Sequence, residues 1–151
     1  MLHALTSKTK GGPMDSIKQS FVAQSHEQIN KFKDGLLRME KGEESTEIND
    51  VIFYCAHKIY SYSISAKYES DNLKCEYILE FMHELENVLD GVRSGTIVTS
   101  QQLVELLMMC SDHLGTLIDC VGFDREPDNN ENLIGQLLLD RLQCYLCNAF
   151  G

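Results

Sequence analysis

The sequence predicts an all-α protein, an up-down antiparallel helix bundle of five helices. Three observations carry that expectation. Apolar residues recur at three- and four-residue intervals over long stretches, the period of one helix face. Only 2 prolines and 10 glycines punctuate 151 residues, which leaves room for long unbroken helices. No stretch alternates apolar and polar residues as a half-buried strand would.

The bulk numbers set limits. A chain of 151 residues fits one domain, long enough to bury roughly 70% of the surface it would expose unfolded. A formal charge of −10 argues against nucleic acid or an anionic membrane as partner, since both reward clusters of Lys and Arg. No run reaches the roughly 18 apolar residues of a membrane-crossing helix, so membrane insertion is not expected. Residues 1–14 carry Lys8 and Lys10 but lack the apolar centre of a signal peptide. They read as a disordered arm or a remnant ahead of a natural start at Met14, and residues 15–151 as the bundle domain.

The six cysteines are Cys55, Cys75, Cys110, Cys120, Cys144 and Cys147. Most fall at apolar-stripe positions, where a free thiol acts as a small hydrophobe. Cys144 and Cys147 form a C-x-x-C pair, but no second ligand pair follows, so no metal is expected. Reduced structural thiols place the chain in the cytoplasm, and nothing calls for a cofactor.

Taken in order, Ile17, Phe21, Ile29, Phe32, Leu36 and Met39 mark a first helix over about Asp15 to Lys41, stopped by Gly42. Ser45 or Thr46 caps a second helix that runs to about Tyr68. Glu69-Ser70-Asp71-Asn72 is a turn, with Asp71 or Asn72 as the next cap. The third helix carries Leu73, Tyr77, Phe81, Leu85, Val88 and Val92 and ends near Arg93-Ser94-Gly95. Thr99 to Gln102 matches a capping box and opens a fourth helix with the stripe Leu103, Leu106, Cys110, Leu114, Leu117 and Val121. Gly122 to Asn130 is a loop, and a fifth helix spans about Glu131 to Phe150, with Leu133, Leu137, Asp140/Arg141 and Cys144 in its apolar set.

The second helix holds the residue that most needs a chemical explanation. Ile48, Ile52, Cys55 and Ile59 line one face, and at about 100° per residue His57 falls opposite the centre of that stripe. A histidine displayed to solvent in mid-helix has no packing role. On the third helix, His83 also lies well off the apolar stripe, and Glu86 follows it on the adjoining turn of one face. Phe53, Tyr60 and Ile64 sit within about 40–60° of His57. They form either a docking patch for another protein or a surface covered by the N-terminal arm or the fifth helix.

The run Ile48-Asn49-Asp50-Val51-Ile52-Phe53-Tyr54-Cys55-Ala56-His57-Lys58-Ile59 resembles the active-site helix of histidine-containing phosphotransfer domains, in particular the N-terminal domain of chemotaxis histidine kinases. That family shows an apolar-Phe-x-x-Ala-His-x-Ile run. His83-Glu84-Leu85-Glu86-Asn87-Val88-Leu89-Asp90 is similar to its His-x-x-Glu-Asn-x-Leu-Asp, and Leu36-Leu37-Arg38-Met39-Glu40-Lys41-Gly42 to its Leu-Leu-x-Leu-Glu-x-Gly. The likeness spans about Asp15 to Tyr145. It implies a four-helix phosphotransfer core plus a fifth C-terminal helix.

The resemblance further implies that His57 is a phosphoacceptor in a two-component relay. It would pass its phosphoryl group to an aspartate of a response regulator, with His83 and Glu86 orienting its ring. Imidazole, with an ordinary pKa of about 6.5, is largely neutral and nucleophilic near pH 7. The implied partners are a histidine kinase catalytic domain, a response-regulator receiver domain, or both, docking over Phe53, Tyr60, Ser61 and Ile64. The 151 residues contain no glycine-rich nucleotide lid, so the chain reads as a phosphoryl carrier without a kinase domain of its own.

Two departures bear on that role. Where the family places Lys and Gly, three and four residues after the acceptor, this chain has Tyr60 and Ser61. Lys58 is a candidate to stabilise the phosphoryl group instead, although one residue along a helix turns it about 100° away. His57 and His83 also stand about seven residues further apart than in the family, which lengthens each helix of the hairpin by about one turn and keeps the faces in register. The alternative reading is a degenerate docking module that binds a kinase or response regulator without being phosphorylated.

Overall fold

In a computed structural model, residues 13–43, 45–70 and 73–150 are described, and they form five helices. These are α1 (Pro13–Glu40), α2 (Thr46–Glu69), α3 (Glu76–Ser94), α4 (Gln101–Gly122) and α5 (Asn129–Phe150). No strand occurs among the described residues. The arm expected at the N-terminus lies outside them as far as residue 12, and α1 begins at Pro13, two residues ahead of the expected start. Proline suits a first helical position, since its missing N–H would have no partner there.

The caps explain where each helix stops and starts. Gly42 adopts φ 91°, and the bonds Gly42 N–H to Met39 O (2.9 Å) and Glu43 N–H to Arg38 O (3.1 Å) close α1 in a Schellman motif. Ser45, one of the two expected candidates, caps α2 by accepting from the Ile48 N–H at 3.1 Å. The expected caps of α3, Asp71 and Asn72, lie outside the described residues. That helix starts at Glu76, after Cys75, with no side-chain cap. On α4 the cap is Ser100, not Thr99, and it accepts from Leu103 N–H at 3.1 Å, one residue beyond the expected box. A reciprocal capping box opens α5. Asp128 Oδ1 accepts from Glu131 N–H at 2.8 Å, while Asp128 N–H donates to Glu131 Oε1 at 2.9 Å.

The first four helices form the up-down bundle, α1 against α2 and α4, and α3 against α2 and α4; α5 packs across α3 and α4. Ile48, Ile52, Cys55 and Ile59 are all buried, as the spacing on α2 requires, and Gly35 of α1 lets the helices close in. A Cβ at Gly35 would stand 2.8 Å from Ile52 Cγ1. Three rungs join α1 to α4: Lys18 to Asp124 at 2.9 Å, His26 to Asp119 at 2.7 Å and Lys33 to Asp112 at 2.7 Å. Residue numbers rise along α1 as they fall along α4, so the two helices run antiparallel.

Two stripes differ from expectation. On α3, Tyr77 lies at the exposed edge, and Ile78 and Met82 are buried instead. Contact with α2, α4 and α5 together widens the buried arc. On α5, Leu133 and Leu137 are 59% and 55% exposed and Cys144 is exposed, while Leu138 and Leu142 are buried. This segment is apolar nearly all round, so period alone selects no face. Local fit selects it: Gly135 lies over His113 of α4, and a Cβ there would stand 2.7 Å from His113 Nε2.

Four of the six thiols, Cys55, Cys75, Cys110 and Cys120, are buried as expected of small hydrophobes, whereas Cys144 and Cys147 are exposed; none is in a disulfide. Burial pushes the Cys110 thiol up to about 12 and Cys75 up to about 11, which makes both poor nucleophiles. Among the described residues, no helix is long and apolar enough to cross a membrane.

Candidate functional site

The stripe that buries one side of α2 forces His57 to the other, where its side chain is 52% exposed. The turns before and after supply flanking rings. Phe53 lies 6.0 Å from the imidazole, centroid to centroid, at 8° between planes; Tyr60 lies at 6.5 Å and 29°. The antiparallel α3 then brings Glu86 across the seam, and its Oε1 is 2.8 Å from His57 Nδ1.

This bond sets the chemistry of the ring. A carboxylate only accepts, so Nδ1 carries the proton and, in the neutral ring, Nε2 holds the free lone pair. The imidazole is thus held in one tautomer and one orientation, with its nucleophilic nitrogen away from Glu86. Glu86 is well placed to hold it, because its side chain is only 15% exposed.

A shallow groove surrounds this pair, lined by Phe53, His57, Tyr60, His83, Glu86, Asn87 and Asp90. Five of the residues singled out from sequence therefore converge: Phe53, His57, Tyr60, His83 and Glu86. His83 shares the groove, but the group bonded to the ring is Glu86. Lys58, Ser61 and Ile64 are exposed on α2 outside the lining. No lysine or arginine lines the groove, and two carboxylates do. Among the described residues, no three His, Cys, Asp or Glu side chains converge as a metal site would require.

One residue at the rim escaped the sequence reading, in which Arg93 was only the basic end of the third helix. Its guanidinium carbon sits 3.9 Å over the Phe53 ring and 5.9 Å from the centre of Tyr54, and its Nη2 donates to Asp90 Oδ1 at 3.0 Å. The signal was present in the spacing. Glu86, Asp90 and Arg93 fall at i, i+4 and i+7, one face of α3.

No family model matches the chain. The chemotaxis protein CheA of Bacillus subtilis is 27% identical over 120 residues, 78% of this chain and 17% of that protein. CheA of Listeria monocytogenes is 26% identical over 98 residues, 65% of this chain and 15% of that protein. The backbone matches the phosphorylated P1 domain of CheA3, solved in complex with CheY6 from R. sphaeroides. The TM-score is 0.72 with 16% identity, over 87% of this chain and 98% of that one. The chain is homologous to the P1, or histidine-containing phosphotransfer (HPt), domain of CheA. The all-α bundle expected from the sequence is the P1 fold. The chain spans about 15% of the length of the Listeria relative it matches.

Proposed function

We propose that this chain is the phosphotransfer module of a two-component relay. In this reading His57 accepts a phosphoryl group and passes it to an aspartate of a response-regulator receiver domain. The observation that carries it is the His57 Nδ1–Glu86 Oε1 bond on an exposed helix face. Homology to the P1 domain of CheA supports it from a separate direction.

The steps follow from the ring's geometry. The Nε2 lone pair attacks the donor's phosphorus in line; an N–P bond forms and the donor's P–O bond breaks, with the electron pair leaving on oxygen. Nδ1–H donates to Glu86 throughout, and the carboxylate stabilises the positive charge that develops on the ring. Because phosphoimidazole is a reactive phosphoryl donor, the reverse attack by an aspartate oxygen empties the site. Phe53 and Tyr60 provide flat apolar walls against which a partner domain can seat and exclude water. The donor is a kinase catalytic domain or a phosphorylated receiver, and such partners place the reaction in the cytoplasm.

A second reading is favoured by one feature, Tyr60-Ser61 where the family has Lys-Gly. In it, the groove docks a kinase or receiver without chemistry. Incubation with a phosphodonor kinase separates the two. The relay requires acid-labile, base-stable phosphate on the wild type that vanishes in His57→Gln. An unlabelled wild type that still binds its partner overturns the relay and leaves docking.

A further inference from the structure

Resting on the phosphotransfer reading, we propose that Arg93 is the cation that receives the phosphoryl group on His57, in place of the lysine whose position Tyr60 occupies. A phosphoryl group brings about −1.5 to −2 units of charge near neutral pH. The groove already carries Glu86 and Asp90 and no lysine or arginine. Glu86 is committed to Nδ1–H. A phosphorylated His57 without a cation would put a dianion beside two carboxylates.

Arg93 is placed to relieve this. Its guanidinium carbon lies 3.9 Å over Phe53, and the Phe53 ring is 6.0 Å from the nearly parallel imidazole. The charge is therefore no more than about 10 Å from the ring centre, within the sweep of rotamer changes of a long side chain. Its present carboxylate partner, Asp90, is 60% exposed, and exposed pairs are weakly held. The phosphoryl group offers a stronger, bidentate match to the same planar fork. Phe53 acts as the pivot. The guanidinium turns from Asp90 toward Nε2 while its face stays on the aromatic ring.

The plain alternative is that Arg93 only closes α3. A basic residue in a last turn favours the helix dipole, and its bond to Asp90 is an ordinary i,i+3 pair. That role does not require the guanidinium to lie over Phe53 of the neighbouring helix. Lys58 is the other nearby cation, but one residue along α2 turns it about 100° from His57, whereas Arg93 already rests on Phe53 of the groove lining.

Phosphoramidate tests this without a kinase: His57 Nε2 forms the N–P bond, the reagent's own P–N bond breaks, and ammonia leaves. Wild type, Arg93→Gln and Arg93→Lys are loaded, and the phosphohistidine is titrated by phosphorus NMR. Loss of the cation should raise the second phosphoryl pKa by about half a unit or more in the Gln variant and by less in Lys. Transfer to a receiver should slow about ten- to a hundredfold in Gln, with partial recovery in Lys. Thermal midpoints check that the fold is intact. Superimposed titrations of wild type and Arg93→Gln overturn the Arg93 assignment alone. A wild type whose His57 takes no phosphoryl group overturns the phosphotransfer reading, and the Arg93 assignment with it.

Discussion

Nδ1 of His57 and Oε1 of Glu86 stand 2.8 Å apart, a hydrogen bond between neighbouring antiparallel helices that leaves the free lone pair of the neutral ring on Nε2. Glu86→Gln keeps the shape and removes the charge that steadies a developing imidazolium. Phosphorylation of His57 should slow about ten- to a hundredfold, the worth of a charge-assisted hydrogen bond of about 1.5–3 kcal/mol. Single-turnover labelling measures this. A Gln variant that labels at the wild-type rate would show that the charge of the Glu86 carboxylate is not used.

Tyr60 occupies the turn after His57, 6.5 Å from it between ring centres. Tyr60→Lys adds a cation where the groove has none and should raise the rate of His57 phosphorylation about tenfold. The same labelling assay reads it. A rate that stays flat or falls would mean that the aromatic wall matters more to docking than charge does to the phosphoryl group.

Gly135 is the contact that seats α5. Replacing it with Ala places a methyl group 2.7 Å from His113 Nε2, with the rest of the ring also close. We expect Gly135→Ala to cost about 1–3 kcal/mol in denaturant unfolding, the usual range for overpacking. His57→Gln in the same assay should be near neutral, because that ring is exposed. A stable Gly135→Ala protein would mean that α5 shifts easily over α4.

His113 also gives the fold a pH dependence. Only 7% exposed, packed edge-on to Phe81 at 5.1 Å, it has its pKa lowered by desolvation, with Glu131 opposing in part. The unfolded chain therefore binds this proton more readily than the folded one. The stability is present above the unfolded value of about 6.5 and declines as pH falls below it, toward the lowered folded value. Unfolding curves between pH 7.5 and 5 should show this slope, and His113→Gln should flatten it. An unchanged slope in the variant assigns the dependence to another group.

Glu131 titrates in a lower window. Bidentate bonds from Arg125 at 2.8 and 2.9 Å, with a further bond from Asp128 N–H, hold its carboxyl down to about 2. Its contribution is present above the unfolded value of about 4.3 and is lost as pH falls from there toward about 2. Circular dichroism of wild type and Glu131→Gln over that range should converge at the acid end. Curves that stay parallel would remove Glu131 from the acid response.

Much of this was legible in the chain because α2 is strict. Ile48, Ile52, Cys55 and Ile59 repeat at 4-3-4 and all are buried, which left His57 only one direction to point. The start of α3 was not legible, since Cys75 gives no side-chain cap to recognise. Nor was the face of α5, where Leu133, Ile134, Leu137, Leu138 and Leu139 offer apolar surface in almost every direction. The buried side there depends on one glycine fitting over one histidine. Arg93 was hidden differently: its charge is plain in the sequence, but its position over Phe53 depends on the register between two helices.

The rungs Lys18–Asp124, His26–Asp119 and Lys33–Asp112 lie along the α1–α4 seam, across the bundle from the groove between α2 and α3. Their ion pairs reach solvent, so added salt screens them. It screens the exposed Arg93–Asp90 pair beside the groove as well, whereas the rings of Phe53, His57 and Tyr60 offer it little. A rise in ionic strength therefore loosens the α1–α4 seam and the hold of Asp90 on Arg93, while the ring stack on α2 keeps its place.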